Sequence, residues 1–412
     1  MPMARTVAEL PKGARIADHI TLGVIAKTFP RQAVLDCLEA VGRASKRQRD
    51  MPNHVVIYYV IALVLYMEVS YREVLRCLVE GIRFLLTPGE KIAITGKSGI
   101  SQARSRVGSA PLEQLHDKLV KPVAARDEKS ETKGAWYRGW RLVSLDGSEL
   151  DVADTDANEK EFGRPGSSRG DSAFPQIRFV SFVENGTHVL FGSRMAGCRV
   201  GEVTLARQIL GWLSRGMLCL ADRNFYGYVL WKEAAQSGAD LLWRVKKNLK
   251  LPCLQRLEDG SYLSRVYASD KDRRHDKDGI IVRVIEYTLE GVPDAEPLYR
   301  LITTILDPQA ASACELAALY HERWEIETAL DELKSHLRGK KIVLRSKTPE
   351  LVRQEFYGLM MAHFAIRGLM HEAALKIGED PDLLSFVHSV RVVRRKMAMF
   401  AAFPPSRSAG VA

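Results

Sequence analysis

Five consecutive apolar residues, Met217-Leu218-Cys219-Leu220-Ala221, run directly into Asp222. A short, unalternating apolar run of this kind reads as a strand covered on both faces, in the middle of a sheet. That makes the centre of the chain a layered α/β core. The flanking sequence supplies the other layers. Arg141-Leu142-Val143-Ser144-Leu145-Asp146-Gly147 is a second β-rich run, which carries an aspartate into a glycine. Residues 176–183 and 188–194 read as a hairpin turned at Glu184-Asn185-Gly186-Thr187. Residues 203–213 and 228–237 have helical periodicity, and 241–245 is another strand. From Lys246 to Arg300 the alternation breaks into polar sequence with charge clusters and strand-like pieces at 280–287 and 298–305. This predicts a β-rich insertion over 247–300.

Upstream, residues 15–85 repeat a helical pattern: Ile16-Ile20-Val24, Val34-Leu35-Leu38, the apolar run 55–67 started near Pro52, and Val74-Leu75-Leu78-Ile82. Breaks fall at Phe29-Pro30 and Met51-Pro52-Asn53, and a turn at 87–90. An all-helical N-terminal domain over 1–125 follows, with the polar segment 126–136 as a hinge-like linker. Lys97 to Gly108 predicts a short helix capped by Ser98 or Ser101, with Ile100, Ala103 and Val107 buried. Its other side would show Ser101, Gln102, Arg104, Ser105 and Arg106. Arg and Gln can pair with base edges in a major groove; a solvated basic helix explains the segment equally well.

Sixty Lys plus Arg against fifty Asp plus Glu leave a net charge of +10 on 412 residues. That excess favours a polyanion such as nucleic acid over a neutral ligand. Cys37, Cys77, Cys198, Cys219, Cys253 and Cys314 show no zinc spacing and read as buried thiols in a reducing compartment. No secretory h-region opens the chain and no run is long enough to span a bilayer, so a cytoplasmic protein with no membrane partner is expected.

Two strand-borne aspartates in a basic chain invite a search for a third acid. The stretch Tyr320 to Lys334, Y-H-E-R-W-E-I-E-T-A-L-D-E-L-K, has no Gly or Pro. On an α-helix Tyr320, Arg323, Glu327 and Lys334 fall on one line. Leu319, Ile326, Leu330, Leu333 and Leu337 form an apolar stripe beside it, and His321, Glu325, Thr328 and Glu332 are left for solvent. An i,i+4 salt bridge between Arg323 and Glu327 explains the pair blandly. With Asp146 and Asp222, however, Glu327 completes a set of oxygen ligands for two hard cations, which suits phosphodiester displacement. Asp151, Asp154 and Asp156 are alternatives to Asp146, in turn-like sequence. His336, His363, His371 and His388 lack ligand spacing and read as structural or solvated. Residues 355–375 predict a helix closing the core, Arg391 to Lys396 either a DNA contact or a solvated helix end, and 404–412 a disordered tail.

The spacing Tyr320, Arg323, Glu327, Lys334 matches the Y-R-E-K signature of the DDE transposases of the insertion-sequence-four type, the hairpin-forming cut-and-paste class. Leu145-Asp146-Gly147 resembles that family's first catalytic segment and Ala221-Asp222-Arg223-Asn224-Phe225-Tyr226 its second. Phe162-Gly163-Arg164-Pro165-Gly166 and Ser101-Gln102-Ala103-Arg104 are also similar to members of the family. The resemblance implies an RNase H-like mixed-sheet catalytic domain over 137–375, followed by a C-terminal helical segment and tail over 376–412. It implies a metal-binding catalytic triad of Asp146, Asp222 and Glu327, with two Mg2+ ions for which Mn2+ substitutes. Tyr320, Arg323 and Lys334 match the signature's DNA-contacting side chains, and Gln102, Arg104 and Arg106 are the candidates for reading double-stranded DNA in the terminal inverted repeats. A homodimer on DNA, with strand transfer into target DNA, completes the expectation. The family's insertion carries a base-stacking Trp, whereas 246–300 has none; Trp243, Trp324, Tyr262, Tyr267 and Tyr287 are the aromatic alternatives. Three rivals stand beside this reading: an inactive end-binding repressor, an RNase H-like nuclease without strand transfer, and a two-carboxylate glycosidase. The basic charge and the Arg323 and Lys334 context count against the glycosidase.

Overall fold

The computed structural model describes residues 23–45, 47, 51–66, 70–81, 96–127, 130–167, 170–289, 296–337 and 343–399. The expectations at 16–20, 82, 87–90 and 404–412 lie outside them. Among the described residues six helices come first: α1 (Gly23–Thr28), α2 (Arg31–Ala40), α3 (Asn53–Leu65), α4 (Tyr71–Gly81), α5 (Lys97–Val107) and α6 (Ala110–Leu119). Next are β1 (Trp136–Tyr137), β2 (Trp140–Asp151), α7 (Asp156–Phe162), the small pair β3 (Gly166–Ser167) and β4 (Gly170–Asp171), then β5 (Gln176–Glu184) and β6 (Val189–Gly197). α8 (Glu202–Ile209), β7 (Met217–Ala221), α9 (Tyr228–Gln236) and β8 (Asp240–Arg244) alternate as expected. Then come β9 (Gln255–Arg256), β10 (Tyr262–Val266), α10 (Asp270–Arg274), β11 (Ile280–Tyr287) and β12 (Tyr299–Thr303). The chain closes with α11 (Ala313–Tyr320), α12 (Trp324–Asp331), α13 (Pro349–Ile377) and α14 (Phe386–Met399).

One sheet runs in the order β6-β5-β2-β7-β8-β12-β11-β10-β9, with β1 paired to β2. β5 is antiparallel to β2 and β6 to β5, while β7 is parallel to β2 and β8 to β7. That five-strand half is the RNase H-like order. β7 is an interior strand, flanked by β2 and β8, with Leu218 to Ala221 fully buried, which is why its sequence is apolar on both faces. Beyond β8, β12, β11, β10 and β9 add on antiparallel, so the β-rich insertion continues the core sheet.

The helical N-terminal region shares this core. α3 is buried at all its residues and packs against α13, where a Cβ on Gly358 would meet the Val60 carbonyl oxygen at 2.9 Å. A helix apolar all round has to be enclosed in this way. Glu184, fully buried at the end of β5, accepts hydrogen bonds from the Val123 and Ala124 amides at 2.8 and 2.9 Å and pairs with Arg141. The segment expected to be a hinge is seated: Thr132 is buried and its hydroxyl lies 2.7 Å from His371 Nε2. Three described cysteines, Cys37, Cys198 and Cys219, are buried; Cys253, in the surface connection from β8 to β9, and Cys314, in the first turn of α11, are exposed, against the expectation. No helix among the described residues is long and apolar enough to cross a membrane.

The β5–β6 turn makes a close backbone approach. Gly186 has φ +76, and a Cβ there would lie 2.6 Å from both the Ala135 nitrogen and the Lys133 carbonyl oxygen. Both contacts are backbone, so neither can swing aside. Gly186→Ala is expected to destabilise the fold by about 2–4 kcal/mol through the left-handed φ and the clash together, read as a lowered melting temperature. A melt within a degree of the parent would refute this.

Candidate active site

β2 and β7 are parallel neighbours with Leu145 opposite Ala221. Asp146 and Asp222 are the next residues along, so the register alone brings both acids to the place where β7 ends. Asp146 Oδ1 accepts the Gly147 amide at 2.7 Å. Burial pushes the Asp146 carboxyl up to about 6 against the Gly147 amide and Arg323, with the charges of Glu202 and Asp222 adding to the rise.

The third acid arrives on a stretch that is not one regular helix. A Ser312–Glu315 capping box starts α11, which ends at Tyr320. A tight 3-10 turn over His321–Arg323 follows, then α12, then a wide π turn over Glu332–Leu337. Each change of pitch rotates the faces relative to an ideal helix, so the single polar line divides. Tyr320 is 6% exposed and its hydroxyl donates to the Ala221 carbonyl at 3.3 Å. This corrects the expectation of an outward DNA contact: the phenol packs under the end of β7 and fixes the backbone that carries Asp222. Arg323 lies 3.4 Å from Asp146 Oδ2 and 3.4 Å from Glu327 Oε1. Burial works against its charge, yet Tyr320, Asp146, Asp222 and Glu327 around it raise the guanidinium pKa above its ordinary value. Its Nε is buried and has no hydrogen-bond partner. Lys334 Nζ donates to Ser148 Oγ at 3.0 Å, and since side chains alternate along a strand, Arg323 and Lys334 both reach the Asp146–Ser148 face of β2.

Glu327 is 45% exposed. Among the described residues the oxygens of Asp146, Asp222 and Glu327 do not all lie within 4.8 Å of one another, and Arg323 bridges the gap. Three carboxylates make an all-oxygen donor set, which fits a hard divalent cation and not a thiophilic one.

The flank of α12 differs most from expectation. Thr328 is exposed as anticipated, but Glu332 is buried, held by Arg367 Nε at 2.8 Å, with His188 and His363 within 3.5 Å. Burial opposes its charge, but those histidines and Arg367 bring its pKa well below the ordinary value. Glu325 accepts the Gly186 amide, and its carboxylate, His188 and Asp382 place ligand atoms within 4.8 Å of one another. These partners come from a turn 139 residues upstream and a segment beyond α13, and nothing local announces them. Glu202, on the first turn of α8, is a second residue missed; a first-turn acid reads locally as no more than a complement to the helix dipole.

α5 also departs from its forecast. It is capped at Gly96, not Ser98 or Ser101. Arg104 is 3% exposed and donates to Gln354 Oε1, Ser346 Oγ and the Leu351 carbonyl at 3.0–3.1 Å. Arg106 donates to Asn53 Oδ1 and the Met51 carbonyl. Both guanidiniums are engaged by groups within the protein, whereas Gln102 is exposed. Among the aromatic alternatives Trp243 is buried edge-on to Trp231, Tyr262 bonds Glu286, Tyr267 bonds Asp276 and Tyr287 stacks on Tyr299. Trp324, beside Arg323, is 59% exposed. Asp151 bonds Gln176, Asp154 pairs with Arg164 and Asp156 opens α7, all further along or beyond β2. His363 and His371 are buried and His388 is exposed.

The chain matches the family described as "Transposase DDE domain" over residues 138–365, more than half its length, and "Insertion element 4 transposase N-terminal" over residues 19–117. It is 26% identical over 377 residues to the transposase InsG for insertion sequence element IS4 of Escherichia coli K12, covering 90% of this chain and 82% of that protein. The putative transposase InsZ of the same organism is 26% identical over 221 residues, 53% of this chain and 70% of its own. The solved piggyBac transposase synaptic complex with hairpin DNA covers 96% of this chain and 84% of its own at 12% identity and a TM-score of 0.47. With acids on β2, just past β7 and on α12, all inside the DDE-domain match, and with the N-terminal match covering the helices before them, this chain belongs to the DDE transposases of the insertion-sequence-four type.

Proposed function

We propose that this transposase binds the terminal inverted repeats of its own insertion sequence as a homodimer, in the cytoplasm, and there cuts the ends and joins them to target DNA. The observation that carries the reading is the register of β2 and β7, which sets Asp146 beside Asp222, with Arg323 linking Asp146 to Glu327. Asp146, Asp222 and Glu327 would hold two Mg2+ ions, or Mn2+ in their place. When bound, the ions would supply Lewis acidity to the scissile phosphate and an activated water.

The side chains around the acids have separable duties. Arg323, with a buried and unpartnered Nε, and Lys334 neutralise backbone phosphates along β2. Tyr320 holds the Ala221 carbonyl and through it the seat of Asp222. Trp324 is the aromatic left to stack on an exposed base. By resemblance to the hairpin-forming class, water opens a 3'-hydroxyl at the transposon end and that hydroxyl attacks the opposite strand. Water reopens the hairpin, and the freed 3'-hydroxyl joins target DNA. No protein nucleophile is consumed.

Incubating a labelled end duplex with the full chain and Mg2+ tests the proposal: nicks, hairpins and joined products are expected in sequence. Nicks without joined products would reduce the protein to a nuclease, and binding without nicks to a repressor. A second result concerns Lys334. Lys334→Ala should make the plot of log binding constant against log salt less steep by about 0.9 for each phosphate left unneutralised. An unchanged slope would remove Lys334 from the interface.

A further inference from the structure

We infer that Glu202 is a fourth carboxylate of the metal site, facing the Asp146–Asp222 pair from the start of α8. This rests on the reading of Asp146 and Asp222 as metal-holding residues and adds a residue to it.

Placement comes first. The Glu202 carboxylate lies over the glycine that follows Asp146: a Cβ on Gly147 would sit 2.8 Å from Glu202 Oε1 and 2.9 Å from its carboxyl carbon. The backbone of β2 is therefore bare where the Glu202 head group rests. Any side chain at 147 would push that head group off the strand.

Partnering comes second. Among the described residues the Glu202 carboxylate makes no hydrogen bond or ion pair. The cation whose charge reaches it, Arg178, is held by Glu149 at 2.6 Å and donates to the Val200 carbonyl at 3.1 Å. An acid serving only the amide dipole of its own helix would turn back to the free N–H groups at the helix start. Glu202 instead leaves α8 for the sheet. The Asp146 carboxylate takes the amide of the same Gly147 at 2.7 Å, so the two head groups meet at one glycine, and the charges of Glu202 and Asp222 both act on Asp146. Like charges crowded in this way are costly without a cation between them. Oxygen donors approaching from two strands and a helix suit an ion of the Mg2+ or Mn2+ class.

The test measures ion binding directly. Mn2+ is titrated into the full chain bound to an end duplex, free Mn2+ is followed by electron paramagnetic resonance, and the duplex alone is subtracted. Asp146→Asn, Glu202→Gln and Gly147→Ala are compared with the parent, each after a thermal melt showing that it folds. Glu202→Gln keeps the shape of the side chain and should weaken Mn2+ binding about tenfold or more. Gly147→Ala should do the same without touching an acid, by displacing the Glu202 head group. The Mg2+ concentration giving half-maximal cleavage should rise in parallel. If Asp146→Asn weakens binding while Glu202→Gln or Gly147→Ala stays within twofold of the parent, Glu202 is not a ligand and the triad stands. If Asp146→Asn itself binds Mn2+ like the parent, the underlying site assignment falls and takes this inference with it.

Discussion

Glu327→Ala is expected to lower Mg2+-dependent cleavage of a transposon end by about 10³-fold or more while leaving end binding within about threefold of the parent. Three orders of magnitude correspond to about 4 kcal/mol of barrier, the scale of losing a metal's hold on a phosphoryl oxygen. The split between binding and cleavage follows from position. Glu327 stands 45% exposed on α12, and its partner in the structure is Arg323 at 3.4 Å. Removing it opens no cavity and strands no buried donor, so the melting temperature should hold. The freed guanidinium keeps Asp146, also at 3.4 Å, and remains available to phosphate. Cleavage within tenfold of the parent would sink the triad assignment.

A comparably large effect, on stability and not on chemistry, is expected at Arg104. Arg104→Ala should destabilise the fold by about 3 kcal/mol, lowering the melting temperature by several degrees. At a temperature where the variant is folded, end binding should stay close to that of the parent. The reason is the set of groups it leaves behind. Gln354 Oε1, Ser346 Oγ and the Leu351 carbonyl lose their donor in a buried place, and Gln354 also donates back to the Arg104 and Gly108 carbonyls at 2.7 and 2.8 Å. Gln102→Ala provides the contrast, since Gln102 is exposed on the same helix and should change affinity without changing the melt. A variant at Arg104 that melts like the parent and binds DNA poorly would return that residue to the interface.

These two residues mark where the sequence was sufficient and where it was not. Asp146, Asp222 and Glu327 are legible because each sits at a local signal. One closes an alternation into Gly147, one ends an unbroken apolar strand, and one lies at fixed spacing from Arg323 and Lys334. The interior position of β7 followed from its composition, because a strand enclosed on both faces has no polar face to show. Arg104 was misplaced because on an isolated α5 its guanidinium falls toward the solvent side. Gln354 and Ser346, more than two hundred residues away, turn that side into an interior. Tyr320 was misdirected for a related reason: an ideal α-helix was projected across a stretch that tightens at His321–Arg323 and widens at Glu332–Leu337.

Composition and spacing within single elements were thus enough to read the α/β core, the order of the three acids and the family. Tertiary structure alone decided which polar groups face inward. It buried Arg104 and Glu332, turned Tyr320 under β7, seated Thr132 on the core and brought Glu202 onto the bare backbone at Gly147. The physical reason is that a polar side chain carries no local mark of burial: its environment is set by partners that only the folded chain brings within a few ångströms, and each buried group must find them.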